Sequence, residues 1–154
     1  MATKSFVVDK ELYVKYYCGV KKETNYRLVE ELSFFENEFQ ILRKRQYKYT
    51  TQALNWLGYL IPKQVYENIL NFTTLLDIEK ENNTIRFEIQ DLENTNYKII
   101  GNLLFEITEA SQTKCTIDIE KFTTKFDNIF PMVVKKKITN HIICQLEEDI
   151  RNFL

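Results

Sequence analysis

Few residues of this chain are of types that do chemistry, and they are scattered. His141 is the single histidine. Acid–base or nucleophilic catalysis through it needs a Ser, Cys or carboxylate partner, and no spacing in the sequence supplies one. Cys18, Cys115 and Cys144 are an odd, widely separated set without a CxxC pair, which reads as three reduced thiols and leaves no metal site. Glu106, Asp118 and Glu120 alternate with apolar neighbours and so fall on the wet face of strands, whereas carboxylate-driven hydrolysis needs a pair in a cleft. With only three glycines in 154 residues, there is no Gly-rich phosphate loop. No catalytic constellation and no cofactor site emerges, so the expectation is a protein that is not an enzyme.

Residues suited to binding are easier to find. Arg43 and Arg45 share strand parity with Phe39, Ile41, Tyr47 and Tyr49. If that face is concave, the two guanidinium groups form a clamp for a carboxylate or phosphate head group; if it runs past the core, both meet water. Trp56, the single tryptophan, stands with Asn55, Leu57 and Tyr59 in an irregular segment, as a cap on a pocket mouth or as ordinary core. Lys135, Lys136 and Lys137, with Lys121 and Lys125 before them, form a basic run. It allows a transient contact with an anionic membrane surface, or is simply a solvated helix face. Nucleic acid is not an expected partner. The net charge is −1 and the pI about 5.9, and Arg45-Gln46-Tyr47-Lys48-Tyr49 only faintly resembles a base-stacking strand.

The elements that must position these residues follow from periodicity. The composition, 44% hydrophobic and 28% charged, is that of an ordinary globular chain, and its length suits one domain over residues 1–154. No secretory signal and no apolar run of membrane-spanning length is visible, so a soluble cytoplasmic protein is expected. Residues 3–8 read as a strand. Asp9 suits the N-cap of a short helix from Lys10 to Val20, with Gly19 at its end. Residues 26–49 alternate as a long hairpin, with Tyr26, Leu28, Leu32 and Phe34 on one face. A short helix is expected over 62–71, opened by Pro62. Strands follow around Phe72–Ile78, Thr84–Asp91, Tyr97–Ile107 and Cys115–Glu120, with a bend or bulge at Gly101. Val134, Ile138, Ile142, Leu146, Ile150 and Phe153 then recur at helical spacing in a helix from about Asn128 to Phe153. Its basic start and its acidic Glu147, Glu148 and Asp149 both oppose the helix dipole, so packing must stabilise it.

This order of strand, short helical region, antiparallel meander and long closing helix resembles the helix-grip fold of the START-like superfamily (SRPBCC, with Bet v 1-like proteins, polyketide cyclases and lipid-transfer domains). Leu60-Ile61-Pro62-Lys63-Gln64-Val65-Tyr66 and Ile129-Phe130-Pro131-Met132-Val133-Val134-Lys135-Lys136-Lys137-Ile138 look like segments of an uncharacterised START-like family. Val7-Val8-Asp9-Lys10-Glu11 departs from the commoner members, which carry a small-residue, proline-containing turn there. The resemblance implies an α+β fold in which a curved antiparallel sheet wraps a long C-terminal helix, with a cavity between them for a lipid or other hydrophobic small molecule. On that footing Tyr47, Trp56, Tyr97, Leu103, Phe105, Ile117, Ile138 and Ile142 line the cavity, with Arg43 and Arg45 as polar anchors. Alternation alone equally allows a filled core. The chain would then be an interaction or scaffold domain whose aromatics at 54–61 meet an unidentified protein partner.

Overall fold

The computed structural model describes residues 2–17, 26–49, 63–92, 97–125 and 132–153. It is an α+β structure. Strands β1 (Ala2–Val8), β2 (Tyr26–Glu36), β3 (Gln40–Tyr49), β4 (Asn71–Glu79), β5 (Thr84–Asp91), β6 (Tyr97–Ile107) and β7 (Thr113–Thr124) are joined by helix α1 (Lys63–Leu70) and closed by helix α2 (Met132–Arg151). They form one seven-stranded sheet in the order β1-β7-β6-β5-β4-β3-β2, and every neighbouring pair is antiparallel. Strands β2 to β7 are therefore a meander, and β1 adds to its far side.

The contacts of α2 require this sheet to be curved. Six strand spacings of ~4.8 Å would set the edges of a flat sheet roughly 29 Å apart, well beyond the width of one helix. Yet α2 is tied to both edge strands. Lys4 on β1 reaches Glu147 at 2.9 Å, and the Tyr26 hydroxyl on β2 donates to Asp149 Oδ2 at 2.6 Å. The sheet rolls around the helix, and its inward positions make the core: Ile78, Ile85, Cys115, Ile117 and Ile119 have no exposed surface. On α2 the buried stripe is Val134, Ile138, Ile142 and Ile150, with Leu146 partly buried and Phe153 just beyond the helix. Among the described residues no helix is long and apolar enough to cross a membrane.

The N-terminal helix predicted over 10–20 is replaced, in the residues described, by an extended crossing with one 3-10 turn at Val14–Tyr16. The reason lies in distant side chains. Leu12 N donates to Thr113 Oγ1, Val14 N donates to Asn83 Oδ1, and Asn83 Nδ2 donates to Leu12 O. These partners satisfy the backbone that a helix would have satisfied internally. Asp9 caps nothing helical; it accepts from Gln112 Nε2. Gly19, Cys18, Trp56, Pro62 and the rest of 54–61 lie outside the described residues.

Two further departures concern register. The pairing of β2 with β3 shifts between Leu28 and Glu30 and again between Glu31 and Ser33. Each bulge turns the strand over once, so Tyr26, Leu28, Glu31 and Phe34 share the inner face where plain alternation would place Leu32. A third shift, at Ile100/Gly101 against β7, is the bulge expected at Gly101. A Cβ on Gly101 would sit 2.5 Å from both the Asp118 carbonyl oxygen and Phe87 Cζ. Glycine at 101 is what lets the Phe87 ring lie against the strand.

Candidate functional site

Where α2 leans on β1 and β7, side chains close up; toward β2–β4 the helix and the sheet part and leave a cavity of about 70 Å³. Its sheet wall is Tyr26 on β2, Tyr47 and Tyr49 on β3, and Phe72, Thr74 and Leu76 on β4, continued by Phe87, Ile89 and Leu103. The helix contributes Ile142, Gln145, Leu146 and Asp149, and Tyr17 closes the side beneath the N-terminal crossing. The wall is aromatic because inward positions of neighbouring strands coincide. Tyr26 pairs with Tyr49 and Tyr47 with Phe72 across the ladders. Tyr26 meets Tyr47 at 5.5 Å and 88° and Tyr49 at 5.6 Å and 72°, while Phe72 stacks on Tyr47 at 5.6 Å and 21°. Such edge-to-face pairs contribute beyond their buried area.

The polar end of the cavity is built on Asp149. Its Oδ2 accepts from the Tyr26 hydroxyl at 2.6 Å and its Oδ1 from Gln145 Nε2 at 3.2 Å. Burial raises the carboxyl above its ordinary range; the Tyr26 and Gln145 hydrogen bonds oppose that shift and nearby Glu148 adds to it. Burial likewise pushes the Tyr17, Tyr26 and Tyr49 phenols up, with the Asp149 charge second in each case. Burial also raises Tyr47, against the effect of its hydrogen bond from Arg45. At neutral pH all four are protonated. The cavity thus offers ring surfaces, phenolic hydroxyls and one carboxylate.

Of the residues that the sequence nominates, Tyr47, Leu103 and Ile142 line this cavity. Tyr97, Phe105, Ile117 and Ile138 do not; they are buried where the interior closes up. Tyr97 faces Phe122 with ring centres 6.4 Å apart, and Phe105 meets the Tyr17 ring at 6.5 Å. Arg43 and Arg45 do point inward beyond Tyr47, but they share the Glu31 carboxylate that the β2 bulges bring to that face. Arg45 Nε donates to Glu31 Oε2 at 2.7 Å. Arg43 Nε lies 3.1 Å from Oε1 without the alignment of a hydrogen bond, and its guanidinium covers the Phe34 ring at 4.8 Å. They are not a free anion clamp. His141 lies half-buried against Tyr49, its Nε2 buried without a hydrogen-bond partner. Asp118 accepts from Thr3 and Glu120 from Asn102, both on the outer face. Among the described residues no group of three His, Cys, Asp or Glu side chains is placed to hold a metal ion.

Sequence reasoning passed over Tyr17, Phe72, Gln145 and Asp149. The signal for the helical pair was present: positions 145, 146 and 149 follow Ile142 at i+3, i+4 and i+7, on the same helix face.

No protein-family model matches the chain, and no curated protein matches it. Among solved structures, it is similar to the solution structure of an 18 kDa protein from Caulobacter crescentus, with a TM-score of 0.51 and 11% sequence identity. The match covers 96% of this chain and 94% of that one. At that identity the likeness is one of fold.

Proposed function

We propose that the protein is a helix-grip, START-like binding domain that holds a hydrophobic small molecule, or the head-proximal part of a lipid, between its curved sheet and its C-terminal helix. The supporting observation is the cavity itself. Protein interiors interdigitate with few voids larger than one water, and here about 70 Å³ is left beneath six aromatic rings. Typical small-ligand pockets hold roughly 300–1,000 Å³. The ligand is therefore small, or its uptake swings Tyr17, Tyr26 or the end of α2 outward. The reading is of a cytoplasmic carrier or sensor without catalysis, acting without nucleic acid. Its basic run at Lys135–Lys137, where Lys135 also lies over the Phe122 ring, is the part proposed to touch a membrane surface in passing.

The test is native mass spectrometry of the protein purified from cells, with organic extraction of what it releases, followed by a panel of fatty acids, phospholipids, sterols and small aromatic amines. A near-stoichiometric adduct, or saturable binding of a panel member, is the expected result. Failure of both hands the fold to a second reading, a protein-interaction domain with a closed core. That reading has its own observation. The β2–β3 hairpin leaves apolar side chains exposed on both faces, Leu28 and Phe34 on one and Phe35 on the other, with Leu32 and Phe39 beside them, Phe39 by 57%, and exposed apolar groups of this kind mark contact sites.

A further inference from the structure

The polar end of the cavity is anionic, and the nearby cations are committed elsewhere. Lys4 and Arg151 both reach Glu147, at 2.9 and 3.7 Å, and Arg151 also covers the Phe6 ring. Arg43 and Arg45 are held by Glu31. Among the described residues no Lys, Arg or His pairs with Asp149, whose two hydrogen-bond donors are neutral. A partly buried carboxylate with no counter-charge is costly. A carboxylate has about four acceptor sites, and two remain for a ligand. Around it stand Tyr17, Tyr26, Tyr47, Tyr49 and Phe72. These rings pack on one another, Tyr26 edge-to-face with Tyr47 and Tyr49 and Phe72 stacked on Tyr47, and give the carboxylate an aromatic surround.

We propose that this end of the cavity recognises an organic cation, an alkylammonium group. Asp149 supplies the opposite charge, and the tyrosine and Phe72 rings that line the space pack against the methyl or methylene groups. The inference rests on the binding-domain reading above and names the chemistry of its ligand. The alternatives fit less well. An anion would be repelled by Asp149. A hard divalent cation needs six or more oxygen ligands, and the wall is carbon. A weakly hydrated alkylammonium suits an aromatic wall beside a carboxylate, and the charge pair is worth more where water is excluded. The gap is of the order of size of a trimethylammonium head.

Two probes of one shape separate charge from shape: choline, and 3,3-dimethylbutan-1-ol, in which carbon replaces the quaternary nitrogen. Each is titrated into the full-length protein and followed by NMR amide shifts. The expected result is choline binding at least tenfold tighter than the alcohol, with shifts centred on Tyr26, Tyr49 and Asp149. Asp149→Asn should lose at least tenfold of the choline affinity and change alcohol binding far less. Equal binding of the two probes, choline shifts away from that cluster, or choline affinity indifferent to Asp149→Asn overturns the cation assignment and leaves the cavity reading standing. Binding of neither probe overturns the cation assignment too, and the panel above then decides the cavity reading. Should Asp149→Asn fail to fold, the wild-type comparison decides, supported by Tyr49→Leu, which should weaken choline more than the alcohol.

Discussion

At the scale of single residues, Asn83 carries more than its turn. Its φ of 53° is left-handed, a conformation Asn tolerates. From there its side chain donates to Leu12 O and Phe105 O, both at 3.0 Å, and accepts from Val14 N at 2.7 Å. Asn83→Asp puts a carboxylate oxygen against two carbonyls. It should cost about 2–4 kcal/mol, read from urea unfolding, with the N-terminal crossing losing hydrogen-exchange protection first. A loss below half a kcal/mol would mean that the crossing holds without this clasp. His141 makes a second prediction. Burial lowers its pKa below the ordinary histidine value, so the folded protein binds fewer protons than the unfolded chain just below pH ~6.5. Stability from the neutral imidazole is then complete above pH ~6.5 and is lost as pH falls through the depressed folded value. As the single histidine in the chain, it can be followed without ambiguity: an NMR titration should place its pKa below 6.5, and His141→Gln should flatten stability across that window. A midpoint at or above 6.5 would contradict the buried placement.

At the scale of elements, strands and the closing helix were legible because each buries one face. Tyr97, Ile99, Leu103 and Phe105 alternate in sequence and are buried in the structure, and Val134, Ile138, Ile142 and Ile150 recur helically and are buried likewise. What stayed hidden depends on partners remote in sequence. The segment from Lys10 to Tyr17 has helical punctuation, but Thr113 and Asn83 take its backbone groups. The β2 bulges arise only through pairing with β3, and they decide that Glu31, not Leu32, meets Arg43 and Arg45. The site was legible to the same extent: Tyr47, Leu103 and Ile142 followed from parity, while Asp149 was lost inside an acidic run although it shares the Ile142 face. Gly101, expected as a bend or bulge, sits at the β6–β7 register shift and is also a close approach. Gly101→Ala must move the Asp118 carbonyl or the Phe87 ring, each 2.5 Å from the new carbon. The cost should be about 1–3 kcal/mol in thermal unfolding. Because Phe87 borders the cavity, the same change should weaken probe binding; unaltered stability would mean that the β6–β7 shift absorbs the methyl.

At the scale of the whole molecule, one helix holds both edges of a rolled sheet and rests closer to one of them. Lys10 Nζ donates to the Phe153 carbonyl and Arg151 covers Phe6 on the β1 side, whereas Tyr26 holds Asp149 on the β2 side. The cavity follows from that asymmetry, and it has a stability consequence. The half-open space of about 70 Å³ forgoes packing that its walls would otherwise make. A methylene-adding change on the wall, such as Thr74→Leu, should recover part of it, about 0.5–1.5 kcal/mol, and raise Tm by a few degrees. It should abolish binding of whatever small molecule the panel identifies. Higher stability with lost binding means that the fold forgoes packing to keep a ligand space. Lower stability means that the rings already fill the interior, because added volume then forces them off their rotamers. The interaction-domain reading would then gain, with the exposed apolar side chains of the β2–β3 hairpin as the surface to test next.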